Sequence, residues 1–260
     1  MPTSFPDLKT LPVATPQQAA AIKAQAMAVS KATPAAAALV APGELLVTSP
    51  GSERWPVKTG TDPDDVAVEI VDTTVEEMIR FPRPDDMQPV TSLQPQYQSH
   101  RAPPVESTVW RLKGVIIALK MEADGDYHLV VQGASGATMI AEIPHPDPPY
   151  VAQASPWNAE ITTARQAADA HLLSTVSLAG FAPMDGKLVP PQSFSVPPPP
   201  SPVAAQGLVA AAAPAAFSTR IDPTPVTITG VGFFDKVHGQ TGVAPFNGIE
   251  IHPVLDIQFG

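Results

Sequence analysis

The chain has 260 residues with 33 prolines, no cysteine and a formal net charge of −10, so much of it cannot be regular structure and one core of about 130 to 150 residues is expected. The acidic balance argues against broad nucleic-acid binding, which relies on clustered Lys and Arg releasing counterions from phosphates. Without cysteine there are no disulfides and no thiolate metal sites, which leaves His, carboxylate and carbonyl groups as ligands for any metal.

The start, Met1-Pro-Thr-Ser-Phe-Pro6, lacks the basic opening and apolar run of a signal peptide. No stretch reaches the roughly 18 apolar residues of a membrane span. Synthesis in the cytoplasm, without a span, is therefore expected. Residues 1–50 form a low-complexity arm in which 16–31 has helical propensity, but Ile22, Met27 and Val29 give only a thin apolar stripe. That segment reads as a tether or, alternatively, as a docking helix. Residues 51–104 form a lead-in: a turn-dense stretch around Trp55, a short strand at 66–72, and a helix with capping-box spacing from Thr73 to Glu76 that Pro82 stops. A Pro/Gln-rich connection at 82–104 carries no core signal.

The core signal begins at Val105 and runs to Met121, first alternating and then apolar on both faces. Asp124-Gly125 is a hairpin signal before a second strand, Tyr127 to Gln132, and the turn Gly133 to Gly136 leads to a third, Thr138 to Ile143. Ser155-Pro156 supplies an N-cap and a first helical position, and Ile161, Ala164, Ala168 and Leu172 keep helical spacing, so a helix is predicted over 156–174. A Pro/Ala-rich arm follows at 183–223. Two β-rich runs, Val226 to Phe234 and Ile249 to Phe259, then flank a loop holding His238, Gly239, Gly242, Pro245 and Gly248. Three strands, a helix and two strands predict a mainly β fold, an OB-fold-like five-stranded barrel (β-β-β-α-β-β) built from 105–182 and 224–260. The two arms, poor in large apolar groups, are expected to add little to its stability.

Several segments resemble an uncharacterised family of bacterial OB-fold-like domains. They are Val57-Lys-Thr-Gly-Thr-Asp62, Asp124-Gly-Asp-Tyr-His-Leu-Val130, Thr138-Met-Ile-Ala-Glu-Ile-Pro144, Gly230-Val-Gly-Phe-Phe-Asp235, His238-Gly-Gln-Thr-Gly-Val-Ala-Pro245 and Ile249-Glu-Ile-His-Pro-Val-Leu255. The resemblance covers roughly 53–182 and 224–260 and implies no established activity. The chain departs from that pattern by its long Pro/Ala insertion and by Phe246, an extra residue before Asn247.

Strand alternation places the polar candidates, because residues two apart share a face. His128, Glu142, Glu250 and His252 then converge on one patch, with Asp126, Asp235 and His238 at its rim. Two histidines and a carboxylate, His128, His252 and Glu250, are one candidate divalent-metal set, with an open position for water. The plainer reading is that buried His and Glu groups satisfy one another, and a ligand-orienting patch without metal is a third. The acidic hairpin Asp124-Gly-Asp126 is explained by turn geometry. The glycines fit no phosphate loop, since no Gly-Lys-Ser/Thr follows them.

These observations favour a non-catalytic binding or structural module, without a required cofactor, whose Pro/Ala-rich arms dock onto neighbouring protein subunits of a larger assembly. A metal-dependent hydrolase, perhaps a nuclease, is the alternative. Oligonucleotide or saccharide binding on the barrel face is the third reading.

Overall fold

A computed structural model describes residues 8–28, 53–92, 94–122, 125–146, 155–172, 182–184, 187–189 and 217–260. In chain order the elements are α1 (Pro16–Ala28), α2 (Trp55–Thr59), β1 (Ile70–Thr73), α3 (Val75–Met78), β2 (Val109–Met121), β3 (Tyr127–Gln132), β4 (Thr138–Ile143), α4 (Asn158–Leu172), β5 (Ala182–Met184), β6 (Lys187–Val189), β7 (Phe217–Phe234) and β8 (Ile249–Phe259). Strands β2, β3, β4, β8 and β7 follow one another around a barrel, and β7 pairs back onto β2 to close it. All these pairings are antiparallel except β4 with β8. The result is the closed five-stranded mixed barrel of OB-like order that the sequence predicts. β1 runs parallel to β2 outside it, and β5 and β6 make a separate hairpin.

β2 makes closure possible because it serves two neighbours. Its second half pairs with β3 from Val115 to Met121, while Val109 to Met121 pair with β7. The register shifts between Ile116 and Ala118, a bulge that bends the strand around the barrel. On β7 the backbone passes so close to Val105 and Trp110 that a Cβ at Gly232 would lie 2.5 Å from the Val105 carbonyl oxygen. Only glycine fits there.

Alternate residues of the strands fill the interior: Leu129 and Val131 from β3, Met139, Ala141 and Ile143 from β4, and Ile249 and Ile251 from β8. Helix α4 packs Ala164, Ala168 and Leu172 into the same cluster. As the sequence predicts, Ser155 caps its start; the side-chain oxygen accepts from the Trp157 N–H at 3.2 Å and donates to the Thr59 carbonyl at 2.6 Å. The helix proper begins at Asn158.

Four expectations need correction. The segment read first as a tether is packed down: Ala26 is fully buried, Ala19 and Ile22 lie on the interior cluster, and Lys23 pairs with Glu77 at 2.8 Å. Leu8 and Leu11 join Ile70, Val109, Trp157, Ile161, Val231 and Leu255 in a second cluster, so 8–28 belongs to the fold. Of the remaining N-terminal arm, 1–7 and 29–50 lie outside the described residues, as do Asp124 and residues 190–216 of the second arm. The end of that second arm is the first half of β7, which starts at Phe217 rather than Val226. The capping box forms one residue later than expected, with Thr74 as cap and Glu77 as its partner, and α3 ends at Met78, before Pro82.

The fourth correction concerns 82–104, where no core signal was read. Met87, Tyr97 and Ala102 are buried in the interior cluster, and three arginines fasten the lead-in to the barrel. Arg54 and Glu106 form a bidentate pair at 2.6 and 2.7 Å, and Arg101, paired with Asp62 within the lead-in at 3.0 and 2.6 Å, donates to the Glu106 carbonyl at 3.0 Å. Arg83 donates to the backbone carbonyls of Met87, Asp235 and Asn247. Among the described residues no helix is long and apolar enough to cross a membrane.

Candidate functional site

Because Leu129, Val131, Ala141, Ile143, Ile249 and Ile251 point inward, alternation turns His128, Glu142, Glu250 and His252 to the outer face of β3, β4 and β8. All four are nevertheless buried. The loop between β7 and β8 covers β3, with Gly242 against Val130 and the Thr241 carbonyl on His128. The patch is thus a polar layer under a roof, outside the apolar core.

Glu142 sits between the two histidines. Its Oε1 is 2.9 Å from His128 Nδ1, and its Oε2 is 2.8 Å from His252 Nδ1. His128 Nε2 lies 2.9 Å from the Thr241 carbonyl, which only accepts, so Nε2 carries a proton. Nδ1 then meets a carboxylate and must donate as well, which makes His128 an imidazolium. Burial alone would push its pKa down, but the Glu142 carboxylate and the Thr241 carbonyl outweigh burial and raise it. Burial likewise acts to raise the Glu142 pKa, and the His128 hydrogen bond with the neighbouring His252 holds it well below the usual carboxylate range.

His252 differs from His128. It is fully buried, with its ring centroid 5.4 Å from that of Phe233, and burial pushes its pKa down. Its Nδ1 is close to Glu142 but out of line for a hydrogen bond, and neither ring nitrogen makes one. Its Nε2 lies 3.6 Å from Asp126 Oδ2. Asp126 is therefore not at a rim; it is 1% exposed and takes the His145 backbone N–H on Oδ1 at 3.1 Å.

The other expected residues are placed differently. Glu250 lies opposite Ile140 and Phe233, and burial, then the Glu142 charge, raises its pKa well above the usual carboxylate range. Asp235 holds the loop through Gln240 Nε2 at 2.9 Å. His238 is exposed and stands apart from the cluster. Among the described residues, two groups have ligand atoms close enough together for one ion: Glu122, His128 and Glu142, and Asp126, Glu142 and His252. The expected set of His128, His252 and Glu250 is not one of them. Buried Lys58 on α2 adds a positive charge felt by Glu142 and Glu250.

The β7–β8 loop is fixed from several sides. Arg83 Nη1 donates to the Asp235 and Asn247 carbonyls at 2.6 and 2.9 Å, and Asn247 Nδ2 donates to the Met78 and Phe81 carbonyls at 3.1 and 2.9 Å. Between these anchors Phe246 is 87% exposed. Comparison with family models, with curated proteins and with solved structures finds no match.

Proposed function

We propose that the chain is a non-catalytic binding module whose β7–β8 loop docks onto neighbouring protein subunits of a larger assembly. The observation that carries this reading is a fixed loop displaying a bare aromatic side chain. A buried phenyl ring at an interface contributes strongly to affinity, and a loop already held in place loses little entropy on docking. The His128–Glu142 pair then has a mechanical role: it ties Thr241 to β3 and so sets the height at which Phe246 stands.

The Pro/Ala-rich arm, judged from its composition, supports the same reading, since extended proline segments dock at low ordering cost. Hydrolysis is supported less well, because it needs an open ligand position facing a cleft. Asp126, His128 and His252 are 1%, 2% and 0% exposed. The simplest neighbour is a second copy of the chain. Its test is the solution mass of the purified protein beside that of Phe246→Ser: an assembly that the substitution takes apart supports the proposal, and equal masses refute it.

A further inference from the structure

Phe246 needs a recess that receives it, and the barrel carries one of matching chemistry. Among the described residues four large hydrophobic side chains are exposed: Val13, Met27, Val68 and Phe246. Phe246 is a knob, and Val13 lines a groove of about 410 Å³ between the N-terminal segment, α4 and strands β7 and β8. The floor of the groove is Leu8, Leu11, Ile70 and Leu255, all part of the second apolar cluster. A cavity of about 150 Å³ lined by apolar side chains takes a benzene ring, so the groove has room for a phenyl ring with a proline beside it.

Charge fits the same pairing. Of the four charged side chains around the groove, Arg111 is engaged by Asp72 at 2.7 and 2.9 Å, Asp256 accepts from Gln258 at 2.8 Å, Glu160 is half-buried, and Lys9 is exposed at the rim. The groove therefore suits an uncharged occupant with an acidic flank. Pro245-Phe246 is uncharged and exposed, and Asp85 is exposed on the turn that Arg83 ties to the same loop. The knob cannot reach the groove of its own chain, because Ile249 at the end of the loop and Leu255 on the floor are six residues apart along β8, about 20 Å. Resting on the docking role proposed above, we infer that the Pro245-Phe246 knob of one copy enters the groove beside Val13 of a second copy, so that copies add head to tail. Each added copy still presents a knob at one end and a groove at the other, so the assembly extends or closes into a ring.

The test compares the full chain as wild type, Phe246→Ser, Val13→Glu and Thr163→Trp, with the mass of each and of their mixtures measured by light scattering. Val13→Glu sets a charge in the apolar groove, and Thr163→Trp fills it from α4. The wild type should exceed 27.2 kDa, and each variant alone should stay at 27.2 kDa. An equimolar mixture of Phe246→Ser with either groove variant should form a one-to-one pair of twice that mass and grow no further, since each pair holds one intact knob and one intact groove. Folded groove variants that assemble as the wild type does, or mixtures that form no pair, overturn the inference and leave the docking role standing, with another surface receiving the knob. A wild type of 27.2 kDa at every concentration overturns both. A further measurement needs no groove variant. With p-benzoylphenylalanine in place of Phe246, light should cross-link position 246 to segments 8–13 or 159–163 of a second copy, and cross-links confined to other segments overturn the inference.

Discussion

Glu106→Gln should be among the most damaging conservative changes in this protein. The Glu106 carboxylate is fully buried and accepts four hydrogen bonds: Oε1 from Arg54 Nη1 and the Phe234 N–H, Oε2 from Arg54 Nη2 and the Ala102 N–H, at 2.6 to 2.7 Å. A carboxamide offers one oxygen, so whichever way it turns, its NH2 group faces two donors. The Arg54 charge, with its side chain 3% exposed, also loses its counterion. Removing one member of a buried pair costs about 3 to 5 kcal/mol. Against a total stability of about 5 to 15 kcal/mol, that is a large share. Urea unfolding followed by circular dichroism measures it, and the Tm should fall by roughly 6 to 20 °C. A double-mutant cycle with Arg54→Met should show coupling of about 0.5 to 3 kcal/mol. A loss below about 1 kcal/mol, the range of exposed pairs, would refute the view that the lead-in is bolted to the barrel by this carboxylate.

Gly242→Ala should cost about 1 to 2 kcal/mol for its left-handed backbone and a further roughly 1 to 3 for the new methyl, which would lie 2.5 Å from Val130 Cγ1. Gly239→Ala, with a similar φ of +92° and open space around it, should show only the first part, and thermal melts of both separate the two. Deleting the first 28 residues should destabilise the barrel, because burial of Leu8 and Leu11 contributes about 1.5 to 3 kcal/mol for each fully buried side chain; an unchanged Tm would restore the tether reading. The His128–Glu142 pair should give a signed pH dependence. The raised His128 pKa makes its contribution full below the ordinary histidine value of 6.5 and lost as pH rises through the folded value, while the lowered Glu142 pKa makes its contribution full above 4.5 and lost as pH falls through its folded value. The Tm difference between wild type and His128→Gln should therefore be largest between about pH 4.5 and 6.5 and shrink above that window; a difference that grows with pH would contradict the imidazolium.

The strands 127–132 and 138–143 were legible to the residue because period-two alternation and glycine turns bound them on both sides. Strand parity also assigns His128, Glu142, Glu250 and His252 to one patch, of which His128, Glu142 and His252 are in contact. It could not say which face they occupy, since buried strands covered on both sides look alike in sequence. The capping box slipped by one because Thr73-Thr-Val-Glu-Glu77 contains the spacing twice, and only the packing of Val75 and Met78 selects the second. The first half of β7 was hidden by Pro223 and Pro225, which sit in a strand whose length is set by its long partner β2. Arg54, Arg83 and Arg101 were illegible for another reason: composition marks arginine as a surface residue, and each is buried only because carboxylates or carbonyls distant in sequence converge on it.

The docking role of the β7–β8 loop is tested most directly by the mass of the full chain in solution, measured by light scattering across a concentration series. The account predicts a mass that is a multiple of 27.2 kDa for the wild type and a return to 27.2 kDa for Phe246→Ser with its circular-dichroism spectrum unchanged. A wild-type mass of 27.2 kDa at every concentration, identical to that of the variant, would contradict it.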